Sequence, residues 1–150
     1  TIEDIRVFMR SLLYTFSFAH SRGVMMCDLH SRNVYFDGTS VKLFDWNAAF
    51  IFKPNAVKLH YYSEPSFLMP PEAWNNESAV HATVSGFDVW SAGLLLEKIL
   101  KGLDDPVDDD VSYSLAKDLQ DVMLTKDPYQ RPDTNKLLQH AFLKKDVQKI

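Results

Sequence analysis

Three oxygen-bearing side chains raise the question of chemistry in this 150-residue chain. Asp28 and Asn33 stand five residues apart in Met26-Cys27-Asp28-Leu29-His30-Ser31-Arg32-Asn33, and Asp45 follows in Asp45-Trp46-Asn47. Between these stretches, Val34-Tyr35-Phe36 and Val41-Lys42-Leu43-Phe44 flank Asp37-Gly38-Thr39-Ser40. Two short β-prone runs around Asp-Gly predict a hairpin. An Asp and an Asn before a hairpin, with an Asp after it, gather three oxygen ligands at one end of two strands. Donors of this kind suit a hard cation held by oxygen. Each residue alone says little, because loops are rich in Asp and Asn for turn reasons.

The elements that must position this group are mostly helical. Ile5, Phe8, Leu12, Phe16 and Ala19 recur at helical spacing, with Thr1 and Asp4 resembling a capping box and Gly23 past the far end. A second helix is expected from about Phe87 to Leu100, stopped by Gly102. Its Val89, Trp90, Ala92, Leu94, Leu95, Leu96, Ile99 and Leu100 leave little polar face, so it should be buried nearly all round. Leu115, Leu119, Val122 and Met123 predict a third helix that ends before Asp127-Pro128, and Leu137, Leu138, Ala141 and Phe142 predict a last one. Residues 46–71 carry turn signals, Lys53-Pro54-Asn55 and Pro70-Pro71 among them, and read as a long ordered loop. Asp104, Asp105, Asp108, Asp109 and Asp110 read as a solvated acidic connector and not as a metal site. No internal repeat or linker divides the chain, so it is taken as one domain, residues 1–150.

Composition narrows the class. With 46% hydrophobic and 24% charged residues the chain is neither disordered nor low in complexity. A formal charge of −4 argues against nucleic acid or an anionic membrane surface as partner. No apolar run is long enough for a membrane span, and no signal peptide opens the chain. The lone Cys27 cannot form an internal disulfide, which points to a reducing, intracellular and cytoplasmic setting.

The Asp28–Asn33 stretch and Asp45-Trp46-Asn47 together resemble the catalytic loop and metal-binding triplet of eukaryotic-type protein kinases. The resemblance extends downstream. Pro70-Pro71-Glu72 is similar to the end of a kinase activation segment, and Phe87-Asp88-Val89-Trp90-Ser91-Ala92-Gly93 to the family's central buried helix. Arg131, in Asp127-Pro128-Tyr129-Gln130-Arg131-Pro132, matches the family's partner for Glu72. The resemblance implies a mainly α fold, a protein-kinase-like C-terminal lobe with a small β-hairpin. It implies catalytic roles for Asp28 and His30, magnesium held by Asn33 and Asp45, and nucleotide contacts from Asn33, Tyr35 and Asp45. Glu72, Asp88 and Arg131 are implied to be structural, with Asp88 bracing the catalytic-loop backbone. Phosphoryl transfer asks a protein for positioning and charge neutralisation more than covalent work.

Several positions depart from that pattern. Met26 and Cys27 replace the His-Arg that precedes the catalytic Asp. Met26 can pack as core, whereas Cys27 cannot pair with a phosphorylated activation loop, although Tyr61, Tyr62, Ser63 and Ser66 remain open to another kinase. His30 stands in place of a Lys. Asp28-Leu29-His30 is also similar to aminoglycoside and choline phosphotransferases, a branch disfavoured by Pro71-Glu72, the Asp88–Gly93 stretch and Arg131-Pro132. Asn47 replaces the Gly of the metal triplet, and Tyr35 falls where the family has a small aliphatic side chain beneath adenine, so that it either stacks under the ring or, the preferred reading, fills the pocket. The stretch from Gly93 to Arg131 is short, which removes a helix used in substrate docking.

No Gly-x-Gly-x-x-Gly loop and no Val-Ala-x-Lys strand occurs, so the N-terminal lobe is missing from these residues. The chain opens inside a helical pattern, as if a larger structure were cut here or never existed. ATP and Mg2+ are therefore expected as cofactors only when an N-terminal lobe is supplied in cis or in trans. The expected function is that of a Ser/Thr protein-kinase-like lobe with weak or no transfer on its own. The alternative is a stand-alone lobe or pseudokinase that binds, mimics or regulates a partner kinase or its substrate. His20, His60, His81 and His140 lack metal-ligand spacing and read as surface or satisfied core residues. Trp46, Trp74 and Trp90 read as packing, and Cys27, next to a carboxylate, as an unreactive thiol.

Overall fold

The computed structural model describes residues 1–53, 68–74, 86–103 and 110–144, without the side chains of Trp74 and Asp110. Tyr61, Tyr62, Ser63, Ser66, His60, His81 and the acidic residues 104–109 lie outside the described residues. Helix α1 spans Ile2–Ser21. Its N-terminus is fixed by the capping box, in which the Asp4 N–H donates to Thr1 Oγ1 at 3.2 Å. Ile5, Phe8, Met9, Leu12, Leu13, Phe16, Ala19 and His20 form its buried face. Gly23, with φ +74°, turns the chain out of the helix.

Two small antiparallel pairs follow. Strand β1 (Val24–Met25) pairs with β4 (Phe50–Ile51), and β2 (Val34–Phe36) pairs with β3 (Val41–Leu43) in the register Val34↔Leu43. The β2–β3 turn is held by Asp37, whose carboxylate accepts the N–H groups of Thr39 and Ser40 at 2.9 and 2.8 Å. Those bonds, the Ser40 N–H foremost, hold this exposed carboxyl well below the usual carboxylate range. The β1–β4 pair corrects the reading of residues 46–71 as loop. Two-residue strands carry no periodicity, and their bonding partners lie far along the chain.

Helix α2 is a single turn, Pro71–Trp74, that starts at the last residue of that expected loop. Helix α3 spans Gly86–Lys101 and is buried on nearly every side, leaving Lys98 and Lys101 exposed. Helix α4, Asp110–Met123, begins earlier than its apolar pattern suggests. An Asp suits the first turn of a helix because it faces the positive end of the helix dipole. The expected last helix is two pieces: α5, Thr134–Leu137, capped by Asp133, and a 3-10 turn, Ala141–Leu143. His140 separates them by accepting the Phe142 N–H at Nδ1 (3.2 Å) and meeting Asp118 through Nε2 (3.0 Å).

The main core joins α1, α3, α4 and the C-terminal turns around Leu12, Leu13, Phe16, Leu96, Leu119 and Phe142. A second, smaller core gathers Met25, Cys27, Phe52, Met69, Ala73 and Phe87. The loop that follows Met25 runs between the two. The chain is thus mainly helical with small β pairs, and among the described residues no helix is long and apolar enough to cross a membrane.

Candidate active site

The loop from Met26 to Asn33 is anchored by alternation. Met26, Cys27 and Leu29 are buried, while Asp28 and His30 face outward. Asp88, fully buried on α3, accepts the Met26 N–H through Oδ2 and the Cys27 N–H through Oδ1, both at 2.9 Å. This fork fixes the backbone ahead of Asp28. His20 of α1 donates from Nε2 to the same Oδ2 at 2.7 Å, and its buried Nδ1 has no partner among the described residues. Cys27 adopts φ +62°, a left-handed conformation unusual for a side-chain-bearing residue. Burial among apolar side chains pushes its thiol pKa up, and the negative Asp88 adds to the shift.

Asn33 closes the loop. Its N–H donates to the His30 carbonyl at 2.9 Å, and its Nδ2 donates to the Asp28 carbonyl at 3.0 Å and to Asp28 Oδ2 at 3.3 Å. With the amide nitrogen turned to Asp28, the Asn33 Oδ1 is left for another partner. His30 Nδ1 accepts the Arg32 N–H at 3.2 Å, so the proton of the neutral ring sits on Nε2. That atom lies 3.7 Å from Asp28 Oδ2, close enough for an ion pair when the ring is charged.

The hairpin returns the third oxygen to this point. The Phe44 N–H donates to the Asn33 carbonyl at 2.9 Å, extending the Val34↔Leu43 register by one residue. Asp45, the next residue, adopts φ +58° and is exposed. Its Oδ1 accepts the Asn47 N–H at 3.4 Å. The structure therefore brings Asp28, His30 and Asn33 into contact and sets Asp45 one residue past the pairing. Tyr35 is exposed on β2 opposite Lys42.

Asp88 braces the loop from beneath, whereas Glu72 and Arg131 pair with each other away from this group. Arg131 forks onto Glu72 at 2.7 and 3.1 Å, donates to the carbonyls of Gly86 and Thr125, and stacks 5.0 Å from the Trp90 ring. Trp46 packs on the main core and donates from Nε1 to the Leu43 carbonyl at 3.2 Å. Sequence reasoning read His20 as a surface or satisfied core residue without placing it beneath the loop, and it missed Arg32 and Lys98 on a cavity beside it. Only His20 left a signal, as a polar residue one turn after Phe16 on the apolar stripe of α1.

A helical domain carrying this loop, hairpin and following Asp defines a kinase-like protein. The chain belongs to the protein kinase domain family, which matches residues 1–108. It is 28% identical to mouse myosin light chain kinase 2 of skeletal and cardiac muscle over 167 aligned positions, which cover 95% of this chain and 26% of that protein. It is 30% identical over 108 residues to a probable serine/threonine-protein kinase of Arabidopsis thaliana, 67% of this chain and 17% of the relative. A putative serine/threonine-protein kinase of Acanthamoeba polyphaga mimivirus is 27% identical over 109 residues, 67% of this chain and 18% of the relative. The chain spans about a quarter or less of the length of these relatives.

Proposed function

We propose that residues 1–150 form the C-terminal lobe of a Ser/Thr protein-kinase-like unit that transfers phosphate from ATP to a protein hydroxyl. The lobe works weakly or not at all until an N-terminal lobe is supplied in cis or in trans. The observation that carries this reading is the bond from Asn33 Nδ2 to Asp28, which orients two functional groups at once. It holds the Asp28 carboxylate, which is 38% exposed, where a substrate hydroxyl can reach it. It also leaves the Asn33 side-chain oxygen free of Asp28, available to a metal ion.

In this arrangement Asp28 orients the acceptor hydroxyl and receives its proton. His30 supplies a hydrogen-bond donor, or a charge when protonated, beside that carboxylate. The residues fit a magnesium ion. Asn33 Oδ1 and the Asp45 carboxylate are hard oxygen donors, and magnesium commonly takes one or two protein ligands with phosphates and water filling the rest. Magnesium, when bound, neutralises charge on the phosphates of ATP. In this reading Tyr35 meets the adenine ring, and its exposure on β2 leaves it able to stack on one or to fill the space. The lone buried thiol fits a reducing, intracellular setting.

Supplying the upstream residues or a separate kinase N-terminal lobe tests the proposal. Calorimetry should then detect Mg-ATP binding that Asp45→Ala removes. Radiolabel transfer to protein should fall about a hundredfold or more with Asp28→Asn while nucleotide binding persists. Absence of Mg-ATP binding in every combination would overturn the active reading.

A second reading, a stand-alone lobe or pseudokinase that regulates a partner kinase, draws support from exposed apolar side chains. Tyr35 and Phe44 are each 54% exposed at the strands that carry the site. Such side chains mark a surface that another body covers. Capture of a purified kinase N-terminal lobe without any transfer would favour this reading.

A further inference from the structure

A cavity of about 620 Å3 opens beside Asp28, walled on one side by the Asp28–Arg32 loop and on the other by Leu68 and α3. From α3 come Ser91, Leu94, Leu95 and Lys98, a spacing that sets all four on one face of the helix. At 1.5 Å per residue this wall runs about 10 Å along the axis. The Asp88 fork ties the start of the loop to the first turn of α3, so Asp28 stands near the N-terminal end of the wall and Lys98 at the far end. Leu68, Leu94 and Leu95 make the middle apolar. Arg32 and Lys98 are exposed, and neither has an ion-pair partner among the described residues. In a chain of net charge −4 this is a local positive rim.

We infer that this cavity docks an acidic segment of the protein substrate, with an apolar side chain against Leu94 and Leu95 and a carboxylate at Arg32 and Lys98. The inference rests on the reading of Asp28 as the group that meets the substrate hydroxyl. An extended peptide advances about 3.3 Å per residue, so the carboxylate stands about three residues from the acceptor hydroxyl. Opposite charge at an exposed rim steers and selects a partner more than it tightens the complex. The selectivity is therefore modest and sensitive to salt.

The test uses fluorescent peptides with a central Ser, an adjacent Leu, and Glu, Ala or Lys placed three residues away on either side. Fluorescence anisotropy reads their binding to the 150-residue chain without nucleotide. The Glu peptide should bind about fivefold tighter than the Ala peptide at low salt, and the difference should shrink at high salt. The double variant Arg32→Glu, Lys98→Glu should reverse the order in favour of Lys. Both replaced side chains are exposed, so the fold is retained and thermal melting checks it. Equal binding of all three peptides, or a preference for Glu that survives the double charge reversal, would overturn the docking site. The catalytic reading fails separately: acid preference without phosphate transfer in the completed enzyme removes it and leaves the docking site standing. Transfer without acid preference does the reverse.

Discussion

His20 and Asp88 meet at 2.7 Å in the interior, linking α1 to α3 directly beneath the loop that carries Asp28. The same Asp88 carboxylate accepts the N–H groups of Met26 and Cys27, so three donors converge on one fully buried acid. Asp88→Ala leaves all three without an acceptor. A buried donor left unsatisfied costs about 1–3 kcal/mol, so this substitution is expected to cost about 3–5 kcal/mol in urea unfolding. His20→Ala removes only one of the three and opens a small cavity beside Phe16, for an expected loss of about 2 kcal/mol. Equal costs for the two would show that the backbone fork contributes nothing.

Arg131 and Glu72 form the second buried connection, with the arginine side chain wholly enclosed and Glu72 nearly so. Breaking such a pair from one side strands a charge, at about 3–5 kcal/mol. Arg131→Met is expected in that range. Arg131→Lys keeps the charge but loses the two-pronged geometry and the bonds to the Gly86 and Thr125 carbonyls, so it should recover less than half of the loss. Pairing Glu72→Leu with Arg131→Met should rescue part of the deficit, because no charge is then left alone. Urea midpoints of the three variants decide it, and full recovery by Lys would contradict the fork.

Gly93 packs α3 against the C-terminal end of α4. A Cβ there would lie 2.8 Å from Leu124 Cδ2 and 3.0 Å from Met123 Cβ. Alanine favours a helix over glycine by about 1 kcal/mol, but forcing a methyl group into a packed contact costs about 1–3 kcal/mol. Gly93→Ala should therefore destabilise the chain by about 1 kcal/mol. Trimming Leu124 to Ala first removes the tightest clash, and in that background Gly93→Ala should be neutral or stabilising. A thermal double-mutant cycle reads the coupling.

How far the sequence foretold this molecule depends on how local each interaction is. Helix α1, the Val34–Phe36 and Val41–Leu43 hairpin and α3 were legible because long periodic runs or a two-strand turn carry their own signal. Strand β4 was not, since Phe50 and Ile51 are strand only by virtue of Val24 and Met25. The break at His140 was hidden because apolar spacing continues across it while the imidazole ends the helix by capping the next turn. At the site, the Asp28–Asn33 contact was readable from a five-residue loop, and Asp45 from hairpin register. Lys98 was not, because its place at the cavity depends on how α3 packs under the loop.

Cys27 combines burial, a left-handed backbone and a neighbouring carboxylate, and these dictate its pH behaviour. Its thiol pKa is raised in the folded chain, so the folded state keeps the proton where the unfolded state, with a thiol near 8.5, releases it. Stability is therefore complete below about pH 8.5 and falls as pH rises above that value towards the folded pKa. Between pH 8.5 and 9.5 the fall attributable to Cys27 should be about 1 kcal/mol. Other groups titrate in the same window, so the quantity to measure is the difference between wild type and Cys27→Ala in urea unfolding at each pH. Cys27→Ala should begin less stable at pH 7.5, having lost a packed sulfur, and the gap should narrow with rising pH. Iodoacetamide supplies the kinetic counterpart. Thiolate is the reactive form, so alkylation of the native chain should be at least about a hundredfold slower than in urea. A gap that stays constant with pH, or native alkylation as fast as unfolded, would mean the thiol is not shielded as its packing requires.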